Sequence, residues 1–282
     1  VRQMENKVGN KFNFQPGCKF IKHDIQLAHQ IGVDDSGWQD ISTPHTYNDV
    51  DTFDDFMEGG HNGERNMFTG KTWYRKRFKL EEKDKDKKVF IEFEGVRQAA
   101  DVYVNGHKLK GKNESGFIPF GYDLTPYLYF SPQQENVIAV MVDNTFPYFA
   151  EGTDDALSWH DSHWHPTHGG IYRNVYLHIK DKMHITLPLY SFLQTQGAYV
   201  YASDITQDSA TISVETEVMN DYEHTKTAQV VAQVIDRDNQ VVLSMNDEQE
   251  VAPGKAYVVK TTGKLENHRS FHMSTPYAFR YN

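Results

Sequence analysis

No long stretch of this chain repeats apolar residues at the 3.6-residue spacing of an amphipathic helix. Instead, apolar and polar residues alternate over short runs that end in turn residues. Such a pattern hides its apolar side chains only by stacking sheets, so the chain is predicted to be all-β. Residues 73–80 and 88–94 read as strands. Ala100–Val104 runs directly into Asn105-Gly106, a dipeptide suited to the positive φ angles of a two-residue hairpin turn. Asn136–Val142 is apolar after its first residue, as expected of a strand covered on both faces. Ile171, Arg173, Val175, Leu177 and Ile179 share one face of a further strand. Arg173 would then be buried and need a carboxylate, for which Asp101 and Glu94 are the candidates. Helical structure is expected at most as short turns at 22–31 and 124–129.

The composition changes near residues 180–184. Before it the chain is dense in Trp, Phe, Gly and His; after it there is no Trp. In the second part Ile212, Val214, Thr216 and Val218 share one face. The runs 228–235 and 240–245 flank the turn Asp236-Arg-Asp-Asn239, and Pro253-Gly254 turns into a strand at 256–262. Two domains are expected, 1–182 as a larger sandwich and 183–282 as a smaller, immunoglobulin-like one that lacks the Cys…Trp…Cys core.

Hydrophobic residues make up 38% of the 282, which is enough for packed cores. The formal charge of −10, from 29 basic and 39 acidic residues, argues against nucleic acid or an anionic membrane as partner. No apolar run reaches the roughly 18 residues of a membrane span. The one cysteine, Cys18, permits no intramolecular disulfide and reads as a small buried residue among Phe14, Pro16 and Phe20. The first residues have no apolar core of a signal peptide. A periplasmic or secreted location therefore presupposes a removed leader, and a cytoplasmic one is the alternative.

Site chemistry concentrates in residues 159–168, which bring together Trp159, His160, Asp161, His163, Trp164, His165 and His168. Aromatic rings cover the C–H face of a sugar, while carboxylate and imidazole groups bond its hydroxyls. The same histidines, His160, His163, His165 and His168, admit a metal reading, but zinc needs three or four ligands to converge and Pro166 and Gly169-Gly170 make the loop irregular. Hydrogen bonding is preferred, and no cofactor is expected. Region 49–66 carries six carboxylates without the spacing of a calcium loop and reads as solvated.

A series of phrases falls in one order. It runs through Trp38-Gln-Asp-Ile-Ser-Thr-Pro-His45, Thr72-Trp-Tyr-Arg-Lys-Arg-Phe78, Phe93-Glu-Gly-Val96 and Asp101-Val-Tyr-Val-Asn-Gly106. It continues with Gly116-Phe-Ile-Pro-Phe120, Tyr122-Asp-Leu-Thr125, Asn136-Val-Ile-Ala-Val140, Val142-Asp-Asn144 and Gly170-Ile-Tyr-Arg-Asn-Val175. The series resembles the N-terminal region of glycoside hydrolase family 2, the β-galactosidase, β-glucuronidase and β-mannosidase group. Residues 183–282, with the ending Ser274-Thr-Pro-Tyr-Ala-Phe279, resemble that family's second domain. The resemblance implies a galactose-binding-like jelly-roll β-sandwich followed by an immunoglobulin-like β-sandwich. It also implies a C-terminal (β/α)₈ barrel as partner, carrying two catalytic glutamates that nothing here matches. Retaining hydrolysis needs two carboxyl groups held about 5–5.5 Å apart, so this chain by itself is expected to be inactive.

By the same resemblance, the loop before Gly170 can give a carboxylate to a β-glycoside bound at the barrel rim. Asp161 is the leading candidate, with His160, Trp164 and His165 beside it; the competing reading makes the loop structural at the barrel interface. Asp143 and Asn144 end a buried strand where the family starts a loop toward the sugar, or they simply cap a turn. Trp38 and Trp73 read as core. The chain is thus expected to be the non-catalytic part of an exo-β-glycosidase, with a homo-oligomer as one option. An autonomous carbohydrate-binding module and a structural tandem sandwich are the alternatives.

Overall fold

The computed structural model describes residues 7–8, 11–48, 68–145, 149–153 and 168–266, and the chain divides after Ile179 into two compact units. In the first unit the strands are β1 (Lys7–Val8), β2 (Lys11–Asn13), β3 (Cys18–Ile21), β4 (Gln39–Ile41), β5 (Lys71–Phe78), β6 (Lys88–Phe93), β7 (Ala100–Val104), β8 (His107–Lys108), β9 (Phe120–Asp123), β10 (Asn136–Asp143) and β11 (Val175–Lys180). They form a five-stranded sheet, β1-β2-β11-β6-β9, and a six-stranded sheet, β4-β3-β5-β10-β7-β8. Cys18, Tyr74, Ile138 and Val140 from one sheet meet Ile91, Phe93 and Val175 from the other around one small cavity, so the two sheets enclose a common core. Phe14 and Phe78 meet edge-to-face in that core, ring centroids 5.1 Å apart. Each such ring contributes on the order of 1.5–3 kcal/mol by leaving water.

β10 is buried along its whole length, as its unbroken apolar run requires. It lies between β5 and β7, with Val140 opposite Tyr74 and Val102. Its inner side faces the other sheet. Its outer side is closed by the segment between β3 and β4, where Ala28 and Trp38 pack on Trp73, Ala139 and Met141. This segment is a run of hydrogen-bonded turns rather than a helix. Trp73 Nε1 donates to Asp24 Oδ1 at 2.9 Å. Arg75 is fully buried beneath it: Nε donates to Asp35 Oδ2 at 2.9 Å, and Nη1 donates to the carbonyls of Ala28 and Gln30.

The buried arginine is therefore Arg75, not Arg173. β11 begins only at Val175, and Arg173 sits exposed in the bend before it, so its guanidinium stays hydrated. The carboxylates considered for it have other partners. Asp101 holds Lys108 at 3.0 Å, and Glu94 accepts from Asn174 Nδ2 at 2.8 Å. The hairpin at Asn105-Gly106 forms as read, with φ of 49° and 85°, and Val104 pairs with His107.

The second unit holds β12 (Met183–Ile185), β13 (Ala198–Ser203), β14 (Ser209–Asn220), β15 (Lys226–Ile235), β16 (Val241–Val251) and β17 (Lys255–Glu266). β14 is the spine: β12 and β13 pair along one edge and β17 along the other. The β15–β16 hairpin forms the second layer. Ile212 and Val214 cluster with Met245, and Val218 clusters with Ala228 and Val230, the alternation placing these residues inward. No helix among the described residues is long and apolar enough to cross a membrane. The fold is all-β, in antiparallel sandwiches.

Candidate functional site

At one end of the first unit the chain segments 45–48, 68–70, 97–99, 143–145 and 169–171 are tied together by backbone and amide groups. Gly169–Ile171 is held from both sides. His45 N donates to Ile171 O at 2.8 Å and Tyr47 N to Gly169 O at 3.1 Å. Opposite, Arg97 N donates to Gly170 O at 2.9 Å and Gly170 N returns a bond to Arg97 O at 2.7 Å. The double glycine is a spatial requirement. A Cβ at Gly169 would lie inside the Tyr47 ring and hydroxyl, and one at Gly170, whose φ is 137°, would strike the carbonyl of His45. Gly169–Ile171 is thus clamped between the 45–47 segment and Arg97.

Two buried amides complete the clamp. Asn144 accepts from Gly70 N at 2.9 Å through Oδ1, and its Nδ2 donates to Phe68 O at 3.0 Å and toward Asn48 Oδ1 at 3.5 Å. Asn48 donates to Phe68 O at 2.9 Å and accepts from Gly169 N at 2.7 Å. Beneath them His45 Nδ1 and Tyr74 Oη are 2.9 Å apart, and Tyr47 stacks on Phe20. Burial pushes both the Tyr47 and Tyr74 phenols well above the ordinary tyrosine range, so they act as neutral hydroxyls.

Beside the clamp lies a surface of different character. The Arg97 guanidinium lies over the Phe117 ring at 5.4 Å, and burial lowers its pKa. Tyr172 Oη donates to Gly116 O at 2.7 Å, and Glu151 N donates to Glu114 Oε1 at 2.8 Å. Phe117, Ile118 and Phe149 stay exposed. A ring supported by a guanidinium can cover the apolar face of a sugar.

Residues 20–181 match the family model described as "Glycosyl hydrolases family 2, sugar binding domain". The chain belongs to glycoside hydrolase family 2. It is 50% identical over 270 residues to a β-glucuronidase of Formosa agariphila, covering 95% of this chain and 27% of that protein. A β-galactosidase of Thermoanaerobacter pseudethanolicus is 30% identical over 267 residues, covering 95% of this chain and 32% of that protein. Among solved structures, "The structure of a beta-glucuronidase from glycoside hydrolase family 2" superposes with a TM-score of 0.84 at 48% identity, covering 94% of this chain and 28% of that one. The chain therefore spans between a quarter and a third of the length of these relatives.

Within this family 2 domain, His160, Asp161, His163, Trp164 and His165 lie outside the described residues, as does the acidic region 49–66. His168 is described and directly precedes the clamped Gly169–Ile171 segment. Asp143 Oδ1 accepts from Thr145 N at 2.9 Å and from its hydroxyl. Asn144 is fully buried, with its amide committed to the clamp. Among the described residues no group of three or more His, Cys, Asp or Glu could hold a metal ion. Sequence reasoning did not single out Arg97, Phe117 or Tyr172 for this surface. Phe117 stands in the Gly116-Phe-Ile-Pro phrase, which was read only as a family likeness, and nothing in its spacing sets it beside Arg97.

Proposed function

We propose that this chain is the non-catalytic sugar-binding part of an exo-acting β-glycosidase, whose chemistry belongs to a barrel elsewhere in a longer protein. The family match over residues 20–181, in a chain that spans only 27% of its 50%-identical relative, carries the reading. Asp161, His160, Trp164 and His165 lie a few residues before the clamped Gly169–Gly170, which supports a reading in which they meet the substrate at the rim of the active site. Asp161 supplies a carboxylate to the hydroxyls of the terminal sugar, and the rings beside it exclude water. The relatives named β-glucuronidase favour a β-glucuronide over a β-galactoside as substrate.

The experiment compares two proteins on nitrophenyl β-glucuronide and β-galactoside. The 282-residue chain alone should show no turnover above a buffer blank. The complete gene product should hydrolyse the glucuronide, and Asp161→Ala in it should raise KM or lower kcat/KM by at least about tenfold, the loss of one charged hydrogen bond. Turnover by the isolated chain, or no glycosidase activity in the complete product, would overturn the reading.

A further inference from the structure

The face of the second unit's larger sheet turned away from the β15–β16 hairpin carries an organised set of side chains. Register places Tyr199, Glu215 and Lys260 in one row across β13, β14 and β17, and Tyr201, Ser213 and Thr262 in the next. All six point away from the Ile212–Val214–Met245 core, because side chains alternate across a strand. The rings of Tyr199 and Tyr201 are neighbours, centroids 5.6 Å apart and tilted by 33°. Tyr201 Oη donates to Glu215 Oε1 at 3.1 Å, Lys260 Nζ stands 3.7 Å from the same oxygen and 5.4 Å over the Tyr201 ring, and the hydroxyls of Ser213 and Thr262 are 3.2 Å apart. Glu217 bounds the face at one end, accepting from Thr186 Oγ1 at 2.7 Å and from Gln196 N at 3.1 Å. Tyr199 is nonetheless 63% exposed.

We infer that this face is a second carbohydrate platform, separate from the 159–168 loop, that takes a neutral glycan chain. The exposed ring of Tyr199, with Tyr201 packed beside it, offers a stacking face to a sugar, while the Tyr199 phenol, the Glu215 carboxylate, the Lys260 ammonium and the Thr262 hydroxyl supply both donors and acceptors for hydroxyl groups. The network already orders Tyr201, Glu215 and Lys260, so little side-chain freedom is lost on binding. The chemistry disfavours other occupants. The centre of the face is a carboxylate and an ammonium, groups depleted from the cores of protein interfaces. Its central ammonium is already matched by Glu215, and the chain carries a net charge of −10, so an anionic polymer finds no surplus positive charge. The platform is independent of which glycoside the parent protein cleaves.

The complete gene product is run in affinity electrophoresis through gels containing galactan, glucomannan or xyloglucan, with polygalacturonate as the anionic control. At least one neutral polymer should retard it and polygalacturonate should not. Tyr199→Thr/Tyr201→Thr, which keeps the β-branched preference of a strand, should weaken the retardation by about tenfold or more. Turnover of a small nitrophenyl glycoside should not change. In parallel, unmutated protein is nitrated with tetranitromethane, and the peptide carrying Tyr199 and Tyr201 is followed by mass spectrometry. The retarding polymer should protect it. Retardation that survives the double substitution, no retardation by any neutral polymer, or nitration equal with and without polymer would each overturn the proposal. So would tyrosines unreactive before polymer is added, because the face would then be covered by protein.

Discussion

Gly169 shows how little room one position can hold. Its missing side chain is what lets Tyr47 lie across the backbone while Asn48 bonds the Gly169 amide. Gly169→Ala should cost about 1–3 kcal/mol, the range for overpacking a rigid site, read as a lower urea midpoint with an unchanged m-value. Two partly buried carboxylates, Asp35 and Glu92, contribute to the acid limit. Burial alone would raise the Asp35 and Glu92 pKa values. Hydrogen bonds and charge from Arg75 and Arg77 on Asp35, and from His178 and Lys11 on Glu92, outweigh it and hold both below their ordinary values. A carboxyl whose folded pKa is depressed stabilises the fold above its unfolded pKa and loses that contribution as pH falls through the folded one. The urea midpoint should therefore drop as pH goes below about 4, and the drop should be shallower in Glu92→Gln. An equal pH dependence in the variant would show that Glu92 contributes nothing.

At the scale of elements, the segment joining β3 to β4 decides whether the outer face of the six-stranded sheet is covered or meets water. β10 is apolar on both sides, so without a cover Ala139 and Met141 would meet solvent beside Trp73. Trp38 is the cover's main apolar anchor, and Arg75 with Asp35 is its polar one. Trp38→Ala should cost about 3–5 kcal/mol, the usual range for truncating a buried aromatic. It should also increase binding of the dye ANS by opening the outer face. A cover held only by its polar bonds would leave ANS binding at the wild-type level. The continuous apolar run of Asn136–Val142 announced a doubly covered strand, but not what covers it. The segment that does so has no periodicity of its own, because turns follow the sheet beneath them and not a helix axis.

At the scale of the whole chain, two sandwiches follow one another, and a family 2 sugar-binding domain occupies most of the first. On the proposed function, activity belongs to a longer protein. Family membership and inactivity of the isolated chain are therefore separate claims, and only the nitrophenyl glycoside comparison addresses the second. Much of the fold was legible. Alternation announced β14 and its inward face, Asn105-Gly106 announced the β7–β8 hairpin, and Asp236–Asn239 announced the turn between β15 and β16. The site was less legible. Arg173 fell on an apolar alternation and looked buried, yet a bend before Val175 turns it to water, while Arg75, in a strand of mixed character, is enclosed.

The sequence by itself determined what short-range rules govern: strand-forming runs, turns with residues suited to positive φ, the doubly apolar central strand and the ordered phrases of the family. These are properties of neighbours along the chain, where side-chain alternation and backbone preference act over a few residues. Tertiary structure decided which residues distant in sequence meet. Asn48 reaches Gly169 and Asn144, Arg97 brackets Gly170, and Tyr199 and Tyr201 line up with Lys260 only because β14 stands between them. Such meetings depend on strand order and register across whole sheets, and local pattern does not encode them.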